Sequence, residues 1–251
     1  SQAPARGLSA AFRMTPKPVL ALDSFDPREV FGPLSPALAA LAPPVVYAQG
    51  DRNVLARGAR VAVLGPRRPT LPAIKRAVRF VEELAEDGVV LVSGLSEGIH
   101  MAVHGSALDS GARTIAVLTT GHDVCFPKNN EHLQRVLGRT QLVLSSLPRE
   151  RMASRETFTR RDELIALVSD AVVVVEAQPD SGTLATARLA LRAGRPLFFM
   201  ASNLEDPRLT WPAELVALGA QSFASAEQVL DTLPERGESS GADEVSGGDA
   251  G

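Results

Sequence analysis

Arginine, serine and glycine recur where apolar runs of this chain give way to helix-like ones, a chemistry suited to holding anions. Gly65-Pro66-Arg67 follows Val61–Leu64, and an arginine two residues past a strand-end glycine offers a planar fork to a phosphate. Ser93-Gly94 and Gly98, spaced four apart after Val89–Val92, form the kind of tight turn that lets backbone approach a ligand. Lys128 lies in the polar loop Gly121–Asn130, a flexible point charge before another helix. Phe158, Arg160 and Arg161 combine an aromatic ring with paired cations, suited to a phosphodiester backbone with a base against the ring. The competing reading of Arg160 is a surface ion pair with Asp162 or Glu163. Ser181-Gly182-Thr183 opens a helix after the strand Ala171–Glu176, where free N–H groups favour an anion; a plain structural cap is the alternative.

Groups that would do bond-breaking chemistry are isolated. His100 and His104 share a helix face, but His-x-x-x-His without the zincin glutamate or a third ligand is weak, and no metal is expected. Cys125 lacks a histidine and asparagine constellation, so packing is the expected role. Glu176 ends an apolar strand without the partner acid that hydrolysis would need. No Ser-His-Asp pattern, P-loop lysine or carboxylate pair can be assembled. The residues favour a binder over a catalyst, with no catalytic residue and no cofactor.

Alternating strands and helices must position these loops. Short apolar runs near 45–50, 61–64, 89–93, 114–118, 142–145, 171–176, 196–200 and 221–223 are expected to be strands. Amphipathic segments near 71–87, 100–111, 129–138, 160–168, 183–193, 212–218 and 225–233 are expected to be helices. The pattern predicts an α/β fold: an extended Rossmann-like, doubly wound, mostly parallel sheet with helices on both faces. In the first of these helices, Ile74, Val78, Val81, Leu84 and Ala85 make the expected core stripe, stopped by Gly88. Three segments are expected: a partly irregular extension over 1–42, the Rossmann-like domain over 43–234 and a disordered acidic tail over 235–251.

Bulk properties narrow the class. A hydrophobic content of 45% supports a large core, and 4% aromatic speaks against a broad base-stacking platform. One cysteine leaves no disulfide framework; with no membrane-length apolar run and no signal-peptide pattern, the chain reads as soluble and cytoplasmic, without a membrane partner. The net charge of −3 conceals an asymmetry. Between Asp231 and Gly251 stand six acids and one base, whereas Arg57–Arg161 holds sixteen Lys/Arg against ten Asp/Glu. The middle of the chain is therefore able to present a basic surface.

Taken in order, Gly65-Pro66-Arg67, Ser93-Gly94 with Gly98-Ile99-His100, Gly121-His122-Asp123 with Phe126-Pro127, Phe158–Asp162 and Ser181–Ala187 resemble the motif series of the DNA-processing protein A family (DprA, also called Smf). The likeness runs from about Pro43 to Leu233 and reads as a divergent member lacking the family's winged-helix tail. It implies an extended Rossmann fold that binds single-stranded DNA, dimerises, and hands the strand to a RecA-type recombinase during DNA uptake and recombination. By the same resemblance Arg67, Lys128 and Arg161 would contact DNA with Phe158 nearby, while Gly94, Gly98 and Ser181 shape the pocket. Pro66 stands where the family has serine, His100 where it has aspartate, and Asp162 and Glu163 where it has asparagine and arginine. The alternative is a nucleotide-like small-molecule binder or hydrolase. Pro179–Thr183 resembles part of the motif of the lysine-decarboxylase-like (LOG) phosphoribohydrolases, without its glutamate.

Overall fold

β-Branched residues crowd the segments that pair. In chain order the elements are β1 (Asp23–Phe25), α1 (Pro27–Val30), α2 (Pro36–Leu41), β2 (Val46–Gly50), β3 (Arg60–Leu64), α3 (Leu71–Glu86), β4 (Val90–Gly94), α4 (Ile99–Asp109), β5 (Thr114–Val117), α5 (Glu131–Thr140), β6 (Leu142–Ser145), α6 (Arg155–Val168), β7 (Ala171–Val174), α7 (Gly182–Arg192), β8 (Leu197–Met200), α8 (Trp211–Ala217), β9 (Gln221–Phe223) and α9 (Glu227–Leu230). The structure is a computed structural model and describes residues 21–31 and 34–234. The tail over 235–251 and the first twenty residues of the expected extension lie outside them.

The nine strands of the described residues form one sheet in the order β1-β2-β6-β5-β4-β3-β7-β8-β9. From β6 to β9 every neighbouring pair is parallel, while β1 and β2 run antiparallel at one margin. The mostly parallel, doubly wound α/β sheet is as the sequence predicts. Successive strand residues face opposite sides of a pleated sheet, which sorts the core into two layers. Ala62, Leu64, Val92 and Val174 meet Leu164 and Leu167 of α6 and Leu184 of α7. Val61, Val63, Leu91 and Val173 meet Ala77, Val81 and Leu84 of α3 and Ile99 and Val103 of α4. The chain winds outward from β3 in both directions, through β4, β5 and β6 on one side and β7, β8 and β9 on the other. A crevice therefore opens between the C-terminal ends of β3 and β7, where ligands of such sheets bind.

Three details of the elements go beyond the sequence reading. Residues before 43 already contribute to the sheet and its core: β1 pairs Asp23 with Ala48 and Phe25 with Val46, and Leu38 of α2 is buried in the same cluster. Strand β1 was illegible because three residues ending at Asp26-Pro27 are too few to carry a periodicity. Helix α6 starts at Arg155 rather than near 160, because Ser154 and Thr157 form a reciprocal cap. The buried stripe of α3 is Ala73, Ala77, Phe80, Val81 and Leu84, with Ile74 and Ala85 packed at its edge. Two alanines let α3 sit close to its neighbours, which turns the face away from the larger Ile74 and Val78. Gly88 does follow the helix in a left-handed conformation, φ +68°.

Candidate functional site

The crevice is built from loops held at one height by tight backbone contacts. Gly98 adopts φ +77° and ψ −126°, a region open essentially to glycine alone. A side chain there would also meet the carbonyls of Pro66 and Arg67. The N–H of Ile99 donates to the Pro66 carbonyl at 3.3 Å, so the loops after β3 and β4 form one unit. Gly94 leaves room for two functional groups: a side chain would overlap the Arg161 guanidinium and the His100 ring.

Arg161 comes from the second turn of α6. Its side chain is only 11% exposed and its Nε donates to Asp162 Oδ1 at 2.6 Å. The Arg161 guanidinium carbon lies 5.8 Å from the centre of the Phe158 ring, and that of Arg67 lies 5.4 Å from the same ring. One phenyl group thus spaces two cations, each in cation–π range. Phe126 meets the ring edge-on at 6.1 Å and is 42% exposed. The opposite wall is the start of α7. Asp180 takes a left-handed turn, φ +55°, and Ser181 occupies the cap position with no side-chain cap bond. Its Oγ is buried without a hydrogen-bond partner. Gly182 and Thr183 follow, bringing the positive end of the helix dipole to the cavity.

These parts enclose about 350 Å³, lined among others by Arg67, Ser96, His100, Phe158, Arg161, Asp162, Ser181, Gly182 and Thr183. His100 is buried, and its Nδ1 has no hydrogen-bond partner. Burial first, then the Arg161 guanidinium, holds the imidazole well below its ordinary range, so the ring is neutral near pH 7. Arginine guanidinia, a neutral imidazole, a hydroxyl and a helix N-terminus form a donor-rich cradle for an anion.

The remaining candidates lie elsewhere. The Ser93 hydroxyl donates to the Val63 carbonyl at 2.8 Å, tying β4 to β3 instead of facing the cavity. Lys128 is 81% exposed and pairs with Glu131 at 2.9 Å, which raises its pKa. Arg160, on another face of α6, pairs with Glu163 at 3.4 Å and Glu156 at 4.0 Å, the ion-pair reading. Glu176 accepts the Thr70 hydroxyl at 2.6 Å, and Thr70 itself caps α3, so this carboxylate serves a helix terminus. Cys125 bonds the Pro127 carbonyl at 3.2 Å, and burial pushes its thiol up. His104 bonds Thr114 Oγ1 at 2.8 Å and the Gly94 carbonyl at 2.9 Å, a satisfied core histidine. Sequence reading missed His100, Ser96, Asp162 and Thr186 as cavity residues. His100 had a signal, its place one residue into the helix after Gly98.

A second cavity, about 380 Å³, lies between α3 and the ends of β8 and β9, lined by Arg76, Phe80, Met200, Ser202 and Phe223 among others; it contains none of the candidates.

Fold and site together define a Rossmann-type α/β protein with a cationic, donor-lined crevice at its topological switch point. Residues 33–234 match the family model described as DNA recombination-mediator protein A, and the chain belongs to that family. It is 33% identical to the DNA processing protein DprA of Bacillus subtilis over 194 residues, covering 77% of this chain and 65% of that protein. The chain thus spans somewhat less than two thirds of that relative's length. The solved structure of DprA from Streptococcus pneumoniae superposes with a TM-score of 0.76 at 32% identity, covering 85% of this chain and 75% of that one. A DprA structure from Helicobacter pylori, described as revealing its single-stranded DNA binding mode, has a TM-score of 0.70 at 27% identity, covering 85% and 95%.

Among the described residues no helix is long and apolar enough to cross a membrane.

Proposed function

We propose that this chain binds single-stranded DNA in the crevice without catalysing a reaction on it. The observation that carries the reading is the pair of guanidinia, Arg67 and Arg161, set about one phenyl ring above the start of α7. Two cations and a helix N-terminus attract successive phosphates, while Phe158 and the half-exposed Phe126 give a base an apolar surface. Asp162, which lines the cavity, accepts from Arg161 at 2.6 Å and so holds that guanidinium in place. Family membership and the DNA-binding relative from Helicobacter pylori point the same way.

Affinity of this kind rests on phosphates and falls with salt. Fluorescence anisotropy with oligo-dT at low and moderate salt tests it. Binding that weakens steeply with salt, and weakens further in Arg67→Ala, is expected; no binding at micromolar protein, or a salt-independent signal, removes the reading. Protection of the strand, homodimerisation and delivery to a RecA-type recombinase extend the proposal. For homodimerisation, sedimentation velocity should show a concentration-dependent dimer. Delivery predicts faster recombinase loading onto strands already coated by this protein; an unchanged rate would remove that step.

A further inference from the structure

Resting on that reading of the crevice, we propose that its inner end takes a phosphomonoester, either the 5′-phosphate of a strand or a free nucleoside 5′-monophosphate, in preference to an internal phosphodiester. Two buried donors or acceptors in this cavity have no protein partner: Nδ1 of His100, a residue 6% exposed, and Oγ of Ser181. Unpaired buried polar atoms are costly, so their persistence together in one cavity marks a place where a ligand completes them. The start of α7 adds backbone N–H groups beside Ser181, and the Arg161 guanidinium adds its two terminal nitrogens, its Nε being held by Asp162.

This set exceeds what a diester in mid-strand can use. A diester has two free oxygens and one negative charge, and its chain must leave phosphorus on both sides through ester oxygens, which accept hydrogen bonds poorly. A monoester presents three free oxygens and up to two charges. Its single ester bond can run outward past Phe158 while the free oxygens face Ser181, His100 and Arg161. Arg67, exposed at the mouth, then remains for the next phosphate of a strand. His100 contributes by geometry: Gly94 admits its ring and the Arg161 guanidinium to the same floor.

The test uses oligo-dT labelled on an internal thymine and carrying a 5′-phosphate, a 5′-methylphosphate diester or a 5′-hydroxyl, followed by anisotropy. The 5′-phosphorylated strand is expected to bind about tenfold tighter than either of the others. Thymidine 5′-monophosphate should compete away that increment, and Ser181→Ala should abolish it with an unchanged melting temperature, since Oγ has no protein partner. Equal affinity for all three strands, with strand binding intact, overturns the monoester seat and leaves the DNA reading standing. Conversely, if no strand binds while thymidine 5′-monophosphate raises the melting temperature in a Ser181-dependent way, the monoester seat is supported and the DNA reading falls. Failure of every probe overturns both.

Discussion

Replacing His104 by glutamine should flatten the acid sensitivity of this fold. His104 is wholly buried, and burial lowers its pKa from 6.5 to about 4. The unfolded chain therefore binds a proton in a range where the folded one does not. The stabilising difference is complete above the unfolded value and is lost as pH falls towards the folded one. From about pH 7 to about pH 5 the proton taken up only by the unfolded chain costs about 2 kcal/mol, at about 1.4 kcal/mol per pH unit. His100 and His122 are lowered in the same direction and add to the loss, whereas the lowered carboxylates of Asp26, Asp123 and Asp206 stay ionised across this interval. A glutamine can donate to the Gly94 carbonyl and meet the Thr114 hydroxyl in place of the ring, but it does not titrate. Urea unfolding at a series of pH values measures this. Wild type should lose at least about 2 kcal/mol over the interval, and His104→Gln about that much less. Parallel curves for the two proteins would refute the assignment of a neutral, buried imidazole at this position.

Arg161→Gln should weaken oligo-dT binding several-fold and reduce the slope of log affinity against log salt by about one, read by anisotropy. Lys128→Ala and Arg160→Ala should leave affinity near wild type, since both side chains already face carboxylates outside the cavity; a loss as large as that of Arg161→Gln would put them back in the interface. Gly98→Ala should lower stability by roughly 1–3 kcal/mol from the backbone conformation alone, with more from its contact with the Pro66 carbonyl, seen as a drop in melting temperature. Gly94→Ala should cost binding more than Gly98→Ala does at equal loss of stability, because its new methyl displaces Arg161 and His100 directly.

The sheet was legible because each core strand is a short apolar run closed by glycine or a polar turn, and runs such as Val61–Leu64 and Val89–Val92 leave little freedom in how they are buried. The motifs holding Arg67, Gly94, Gly98 and Ser181 could be assigned to the C-terminal ends of strands from their position after apolar runs, whereas the order of the strands in the sheet, and with it the switch point between β3 and β7, came from the structure. Direction of side chains was a further part that sequence did not carry. Arg160 and Arg161 are adjacent in type and position, yet successive helical residues are rotated by about 100°, and only the second reaches the Phe158 ring. Lys128 follows the loop it belongs to, and that loop ends in a short turn beside Glu131 rather than over the rim. His100 resembled a metal ligand on spacing; its burial against Gly94 is a tertiary fact that no local pattern encodes.

Both margins of the sheet, β1 and β9, are strands of three residues. So short an edge offers few unpaired backbone groups for templating a strand from another molecule. For the self-association proposed above, contact through helix surfaces and side chains is thus favoured over prolonging the sheet. Self-association of that kind would be tuned by single substitutions and would dissociate without breaking a hydrogen-bonded ladder.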